Sequence, residues 1–572
     1  MNPNQQSHLG TLIHTGLLAI VLCMAGCQQQ ASQTVEVEES QAAASPTTQS
    51  SVPNNPGAAA PLLEGIGPLH FPISTSVPLA QKYFDQAMTL SFGFNHAEAV
   101  RSFKEAARLD ATCGMCWAGA ALALGPNINA PMGEAAISPA WDAVQQALAL
   151  RDFENEKERA YIDAIATRYS QDGEDRHGLD IIYAGAIGGV ADRYPDDLHA
   201  RTLHAEALMD LMPWSYWNDD GTPTNDQTTK LVAELEHVLS VDPAHPGAAH
   251  LYIHAMEQFE PAKAEAAADI LGDLVPVAGH LVHMPSHIYL RVGRYSDAVD
   301  ANAKAALADE DYISQCNAQG LYPAAYYPHN IHFLWYAAMM EGRKALAVDS
   351  AEKLAVKVPI AMAKQMGALQ SYIAVPVYTY VRFGMWDEVL AVPAAEEGLP
   401  FAEAMRLYGR GIAYAALGNL EAAQAELTAL ETLANTDAMK KLNMRRPGVT
   451  EDLMGIAMSL VQARIYRSQA NADAEIAALK QAVAHQDALP YTEPPLWHYP
   501  VRQALGDAQL RNNEAANAKE TFAQDLHHFP KNPWSLYGTQ QAMAALGESA
   551  QDLQEAVDNA WRNADIPPAI TW

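Results

Sequence analysis

The chain has 572 residues, a formal net charge of −31 at pH 7 and only five cysteines. This length can bury one large core or several smaller ones. The strong negative charge argues against binding to nucleic acid or to an anionic membrane surface, and the low cysteine count excludes a disulfide-dense scaffold.

The N-terminal segment is typical of an exported protein. Its first 26 residues contain no Lys, Arg, Asp or Glu, and an apolar run at 16–26 leads to Met24-Ala-Gly-Cys27. The run is too short to span a bilayer as a mature helix. The pattern resembles a bacterial lipoprotein signal peptide, which implies removal of residues 1–26 and lipidation of Cys27. A plain secretory signal is the alternative, and Gln28 after the cysteine favours an outer-membrane lipoprotein of the cell envelope, facing the periplasm or the surface.

Residues 27–61 are predicted to form a flexible tether. This segment is rich in Gln, Ser, Ala, Pro and Thr and has almost no large apolar side chain. Such a composition cannot pack a core. We therefore expect the folded part to begin near Leu62 and to continue to residue 572.

Helical periodicity dominates the folded part, and alternation typical of strands is hard to find. Several segments combine a helix, a Gly or Asn turn and an Ala-rich helix that ends near Asp or Pro. These units are 80–110, 280–309, 329–354 and 404–433, with turn glycines at Gly293, Gly342 and Gly418. They resemble tetratricopeptide (TPR) repeats of about 34 residues. The resemblance implies an all-α solenoid, a right-handed superhelix whose first helices line a concave groove.

Two stretches interrupt the repeat pattern and carry clustered aromatic residues. The stretch 212–226 holds Trp214, Tyr216 and Trp217, and the stretch 309–328 holds Tyr322, Tyr326 and Tyr327. Long irregular loops in a compact repeat array are often functional. Each stretch is interpreted either as a lid over the groove or as a packed spacer.

Histidines are concentrated in one region, with seven of the chain's 20 between residues 247 and 336. Spacings of three and four residues place side chains on one helix face. One pair recurs after 33 residues, from His250 and His254 to His283 and His287, which predicts equivalent places in neighbouring repeats. The predicted metal ligands are His250, His254, His280, His283, His287, His329 and His332.

The resemblance to TPR repeats also implies where these side chains point. The histidines fall at the second, fifth and ninth places of their first helices, and these places face the groove in that family. His199, Thr202 and Glu206 fall at the same places of an earlier helix, Tyr336 at the ninth place and Glu257 at the twelfth. The groove at 199–336 is therefore predicted to be rich in histidine.

Histidines from adjacent helices can share one ion, because packed helices lie about 8–10 Å apart. Imidazole suits Zn, Cu or Fe, and a carboxylate such as Glu257 or Glu206 can complete the ligand shell or act as a base. The sequence thus predicts a transition-metal site in a metal-handling protein or a metal-dependent enzyme, redox or hydrolytic. Glu257, Glu206 and Tyr336 are its candidate catalytic residues. A metal-free scaffold that binds a peptide, a protein or a small molecule in the groove is the alternative.

The cysteines beyond Cys27 allow more than one interpretation. Cys113-Gly-Met-Cys116 begins a predicted helix, and an oxidising compartment favours a structural disulfide. A redox pair, or copper binding by Cys113, Met115 and Cys116, is the alternative. Cys316 is predicted to be a free thiol. The chain contains no glycine-rich phosphate loop, no GxSxG and no HExxH.

Overall fold

The computed structural model describes residues 57–316, 322–442, 444 and 446–570. The predicted signal peptide, the lipidation site Cys27 and the tether up to residue 56 lie outside the described residues. Backbone contacts of the folded part begin slightly before Leu62: the Ala59 amide donates to Glu105 Oε2 (3.0 Å), and the Ala60 carbonyl accepts from the Tyr83 hydroxyl (3.1 Å).

The described residues form α-helices joined by short turns, and they contain no β-strand. The helices of the first half are α1 Pro78–Phe92, α2 His96–Leu109, α3 Gly114–Leu124, α4 Glu134–Leu150, α5 Glu156–Ala166, α6 Arg176–Arg193, α7 Leu198–Asp210, α8 Asp226–Val241, α9 Pro246–Met256, α10 Glu265–Leu271, α11 Gly279–His283, α12 Pro285–Val292 and α13 Tyr295–Cys316. Those of the second half are α14 Tyr327–Glu341, α15 Lys344–Lys357, α16 Ile360–Gln365, α17 Gln370–Arg382, α18 Trp386–Ala391, α19 Pro400–Ala416, α20 Leu420–Ala434, α21 Asp437–Lys440, α22 Val449–Ser468, α23 Ala472–Asp487, α24 Val501–Arg511, α25 Ala515–His528, α26 Pro533–Leu546 and α27 Gln551–Ala560.

Consecutive helices pack in pairs, and the predicted all-α TPR-like repeat architecture is confirmed. The predicted turn residues Gly293, Gly342 and Gly418 have φ of 76°, 75° and 80°, a left-handed conformation that favours glycine. Small core residues such as Ala99 and Ala298 are fully buried. Their size lets neighbouring helices approach closely and bury apolar faces that no single pair could cover alone.

The C-terminal helices contact the histidine-bearing half of the chain. Trp534 Nε1 on α26 donates to the carbonyl of Met340 on α14 (3.0 Å), and the backbone amide of Lys344 donates to Asp565 Oδ1 (2.6 Å). The carbonyl of Pro530 lies against Gly293, where any side chain would collide with it. These contacts bring segments near residue 500 close to the first helices of the central repeats.

The two predicted interruptions differ in the structure. Residues 211–225 between α7 and α8 are irregular, as expected. The second stretch, 309–328, was predicted to be an irregular loop, which is wrong for much of it: α13 continues to Cys316, and Tyr322–Tyr326 forms a π-helical turn before α14. Among the described helices, none is both long and apolar enough to cross a membrane.

Candidate metal centre

Six of the seven predicted histidine ligands meet at one place. His250 and His254 project from α9, His280 and His283 from α11, His287 from α12 and His329 from α14. Their ring centroids form a continuous chain of contacts, including 4.9 Å between His250 and His254, 5.3 Å between His254 and His287, and 4.9 Å between His283 and His329. The recurrence after 33 residues therefore predicted a true juxtaposition.

The histidines are buried, so their predicted position on an open groove is wrong. The exposed fraction is 0% for His283 and at most 4% for His250, His254, His280 and His287. Aromatic rings close the space around them. The covering residues are Phe94, Trp214, Tyr326 and Phe333. Large side chains and the returning C-terminal half fill the space that a bare repeat array would leave open.

Two carboxylates approach His287 in this interior. His287 Nδ1 lies 2.9 Å from Glu257 Oε2 and 3.2 Å from Glu493 Oε2, and all three side chains are buried. Both distances are those of ion pairs. An ion bonded at about 2.0–2.2 Å keeps neighbouring ligand atoms about 2.9–3.5 Å apart. We call His287, Glu257 and Glu493 the His287 site.

A hydrogen-bond chain defines the protonation of His287. The amide nitrogen of Asn302 donates to the Ala298 carbonyl (2.7 Å), so Asn302 Oδ1 faces His283 Nδ1 at 2.7 Å and accepts its proton. His283 Nε2 is then an acceptor, 3.0 Å from His287 Nε2, which must carry a proton. His287 Nδ1 faces two carboxylate oxygens, so a proton on this nitrogen forms ion pairs with both, and a metal ion is the other cation that this position can hold.

The pKa shifts follow from the same geometry. Burial disfavours the charged form of His287, but Glu257 and Glu493 outweigh it and raise its pKa to about 10. Burial opposes ionisation of Glu257, yet the neighbouring His287 and His254 lower its pKa to about 2. Burial raises the pKa of Glu493. The site thus concentrates two acidic groups and attracts positive charge.

A second group, His250, His254 and His280, forms what we call the three-histidine pocket. One ring nitrogen of each lies within 4.8 Å of the others. His250 Nε2, His254 Nε2 and both nitrogens of His280 have no hydrogen-bond partner. Burial, reinforced by neighbouring histidines for His250 and His280, lowers the pKa of all three imidazoles, so each is held neutral, the form that binds metals.

The far nitrogens of this pocket are anchored from behind. His250 Nδ1 lies 2.5 Å from the carbonyl of Phe92, and His254 Nδ1 lies 3.3 Å from Glu257 Oε2. Each Nδ1 therefore donates its proton outward, and each Nε2 presents a lone pair inward. Carbonyl and carboxylate acceptors are the usual partners of the far nitrogen in metal-binding histidines.

A third triplet, His283, His287 and His329, also has ligand atoms within 4.8 Å of one another. Both nitrogens of His283 take part in hydrogen bonds, to Asn302 and His287. This histidine is consequently suited to positioning His287 rather than to binding an ion directly.

His332 does not reach the centre. Its ring stacks on Trp335 at 5.2 Å and contacts Tyr372 at 4.8 Å. On α14 the residues that face the centre are His329 and Phe333, which contacts His283, His287 and His329 at 4.5–4.8 Å. Phe333, four residues after His329, shares its helix face, whereas His332, three residues after it, is turned away. The apolar ring of Phe333 therefore takes the position that was predicted for His332.

Two of the three predicted catalytic residues also lie elsewhere. Glu206 lines a small cavity with His96 and Arg168; burial and Asp210 raise its pKa to about 8, although Arg168 opposes the shift. The Tyr336 hydroxyl is buried without a hydrogen-bond partner, and burial together with Asp525 raises its pKa. Only Glu257 lies among the histidines.

Glu493 is the functional candidate that the sequence did not reveal. It precedes Pro494 in an aromatic loop between α23 and α24, and it is held by the Tyr491 hydroxyl, which donates to its Oε1 (2.6 Å). Arg291 Nε lies 3.8 Å from the same oxygen. This loop has no repeat pattern and stands 206 residues after His287, so no local spacing connects the two.

The aromatic interruptions contribute cover to the centre. Trp214 is 41% exposed, and its ring meets the His254 ring edge-on at 5.0 Å. Tyr322 accepts a hydrogen bond from the backbone amide of His280 (3.1 Å), and Tyr326 contacts the His280 ring at 4.9 Å. Both stretches therefore pack on the histidines.

The cysteines lie away from the centre. Cys113 and Cys116 are joined by a disulfide at the start of α3. Cys316 is a buried free thiol whose pKa is raised to about 12 by burial and by Glu98. A thiol with such a pKa is protonated near neutrality and is a poor metal ligand.

Comparisons with known proteins found matches among solved structures. No protein-family model matches the chain, and no curated protein is significantly similar to it in sequence. Among solved structures it is similar to Cut9 in the APC/C hetero-tetramer Cut9–Hcn1, with 13% identity, 84% of this chain and 76% of the other covered, and a TM-score of 0.29.

Two further solved structures are similar at the same level. Human IFIT1, in a dimer with PPP-AAAA, is 12% identical in sequence; the match covers 84% of this chain and 90% of the IFIT1 chain, with a TM-score of 0.27. The TPR domain of P58(IPK) is 12% identical in sequence; the match covers 76% of this chain and 99% of the P58(IPK) chain, with a TM-score of 0.21. No functional conclusion follows from similarities at this level.

Proposed function

We propose that this chain, an all-α TPR-like repeat protein, is a lipid-anchored protein of the cell envelope that holds a divalent transition-metal ion at the His287 site. The observation that carries the proposal is the position of His287 Nδ1, which lies 2.9 and 3.2 Å from two buried carboxylate oxygens. A divalent ion that replaces the His287 proton would be held by this nitrogen and by the two carboxylates, whose negative charges would offset its own.

The ligand set favours Zn²⁺ or Fe²⁺. One imidazole nitrogen and two carboxylate oxygens suit borderline divalent ions, and two carboxylates neutralise two positive charges in a buried place. Three protein ligands leave a coordination position for water or a substrate, as in catalytic rather than closed structural sites. A hydrolytic or redox reaction at this position is the activity that we propose for the ion.

The metal-free interaction scaffold is less well supported for this region. Histidines that contact a peptide have to be accessible, whereas His250, His254, His280, His283 and His287 are at most 4% exposed. Peptide binding by other surfaces of the array remains compatible with a metal at the His287 site.

Elemental analysis of the full processed chain tests the proposal. The chain is stripped with a chelator, reconstituted with Zn²⁺ or anaerobic Fe²⁺, and desalted. We expect an equivalent of metal that is absent from His287→Ala and from the nearly isosteric Glu493→Gln, and retained in His332→Ala, the matched histidine outside the centre. Metal at about 100 times its Kd should stabilise the wild type by about 2.7 kcal/mol.

The same measurement can exclude the proposal. A wild-type chain that retains no Zn²⁺ or Fe²⁺, or that retains it equally in Glu493→Gln, excludes the ion from this site. The lipid anchor has a separate readout: the wild type should fractionate with membranes and Cys27→Ala should not.

A further inference from the structure

We infer that the three-histidine pocket binds a second ion, a monovalent copper ion, next to the ion of the His287 site. This inference extends the proposed function to an adjacent site whose ligand atoms are different. It rests on the nitrogens of His250, His254 and His280, none of which belongs to the His287 site as defined above.

The first step is the convergence of unsatisfied nitrogens. His250 Nε2, His254 Nε2 and both ring nitrogens of His280 are buried and have no hydrogen-bond partner. One atom from each residue lies within 4.8 Å of the others. Buried polar groups are nearly always paired, and a cluster of exceptions indicates a ligand that fills the gap between them.

The second step is the orientation of the lone pairs. The Phe92 carbonyl accepts from His250 Nδ1, and Glu257 accepts from His254 Nδ1. Both anchors leave Nε2 unprotonated and directed into the pocket. Three histidine nitrogens from two neighbouring repeats, each within 4.8 Å of the others, can thus approach one ion together.

The third step is the charge of the ion. Among the described residues, the carboxylate that contacts these three imidazoles is Glu257, and it reaches His254 on the nitrogen that points away from the pocket. The cost of burying an ion rises with the square of its charge, so a monovalent ion costs roughly a quarter as much as a divalent ion. Imidazole suits copper, and Cu⁺ is the monovalent transition-metal ion that fits such a neutral pocket.

The fourth step is the cover over the pocket. The Phe94 ring lies 4.7 Å from His250 and 5.3 Å from His280, Tyr326 lies 4.9 Å from His280, and Trp214 lies 5.0 Å from His254. These rings cover the three histidines. Among these covering rings, Trp214 is the most exposed, at 41%. An ion would therefore enter the pocket past this side chain.

The two sites are close enough to interact. The rings of His254 and His287 are 5.3 Å apart, and those of His280 and His283 are 5.7 Å apart. Glu257 Oε2 contacts His254 Nδ1 in one site and His287 Nδ1 in the other. Loading of one site therefore alters the charge that the other one experiences.

Crossed metal loading tests the inference on the full processed chain. Zn²⁺-treated protein receives Cu⁺ anaerobically, excess copper is removed with a Cu⁺ chelator, and both metals are counted. We expect one retained copper in the wild type and in His332→Ala. Copper affinity should fall at least about tenfold in His250→Ala and in His280→Phe, which preserves the ring volume and hence the packing.

The crossed variants separate the two sites. His280→Phe should keep the zinc that depends on Glu493, and Glu493→Gln should keep the copper. X-ray absorption at the copper edge should show a first shell of nitrogen atoms only. Copper retention that is unchanged in His280→Phe, or a copper shell that contains sulfur or carboxylate oxygen, would overturn the inference.

The two proposals can fail independently. Zinc that depends on Glu493, without any copper that depends on His280, leaves the proposed function standing and refutes the second site. Copper that depends on His280, in a chain that holds neither zinc nor iron at the His287 site, supports the second site and refutes the proposed function.

Discussion

Two buried polar clusters of this chain differ in how completely they are hydrogen-bonded. In the C-terminal repeats, the Asp525 carboxylate accepts from Ser535 Oγ (2.5 Å) and Asn532 Nδ2 (3.2 Å), and Gln503 accepts from Arg382 (2.6 Å). In the central repeats, the three-histidine pocket leaves His250 Nε2, His254 Nε2 and both ring nitrogens of His280 without hydrogen-bond partners.

This difference in hydrogen bonding assigns a structural role to the first cluster and a proposed ligand-binding role to the second. A fully hydrogen-bonded cluster is complete in the folded chain, and its role is to fix the packing of α24, α25 and α26. A cluster with converging unpartnered atoms has free valences for a ligand, and under our proposal that ligand is a metal ion. Burial and polarity alone would have marked both places as candidate sites, whereas the count of partners distinguishes them.

The largest expected effect comes from the completed cluster. Asp525→Ala removes the acceptor of Ser535 and Asn532 and leaves buried donors unpaired, which should cost about 3 kcal/mol of unfolding free energy. Zinc and copper content should remain at the wild-type level. Chemical denaturation with parallel elemental analysis measures both quantities. A loss of metal without a loss of stability would contradict the structural role of this cluster.

The next effect concerns the hydrogen-bonded histidine that positions the His287 site. Asn302→Leu keeps the side-chain size but removes the acceptor of His283 Nδ1, so His283 no longer fixes the proton on His287 Nε2. We expect zinc affinity to fall about 10- to 100-fold. Titration against a competing chelator measures it. Unchanged zinc affinity would mean that His283 does not position His287. Ser286→Ala is the milder control, because it alters a longer contact to His283 Nδ1 (3.2 Å).

The smallest effect concerns a third buried polar group, Glu206. Burial and Asp210 raise its pKa from 4.5 to about 8, so between these pH values the folded chain holds a proton that the unfolded chain releases. This group therefore makes stability fall as pH rises from about 4.5 to 8. In the metal-stripped protein, Glu206→Gln should raise Tm at pH 8 by about 1–3 °C and change it little at pH 5. An equal change at both pH values would exclude titration of Glu206 as the cause.

The sequence predicted the fold class and much of the centre, for identifiable reasons. Helical periodicity and the turn glycines Gly293 and Gly342 are local features that the structure reproduces. The recurrence of His250 and His254 as His283 and His287 indicated equivalent faces of neighbouring repeats. It failed at His332, because three-residue spacing turned this side chain towards Trp335 and left the inward position to Phe333.

Local spacing along the chain defines which helix face each histidine occupies, because helix geometry links sequence separation to direction. It does not define what lies opposite that face. The return of the C-terminal repeats brought Glu493 to His287 and, with Trp214, Phe94 and Tyr326, converted a predicted open groove into a closed interior. These contacts join segments that share no repeat pattern, and their selection depends on the packing of the whole array.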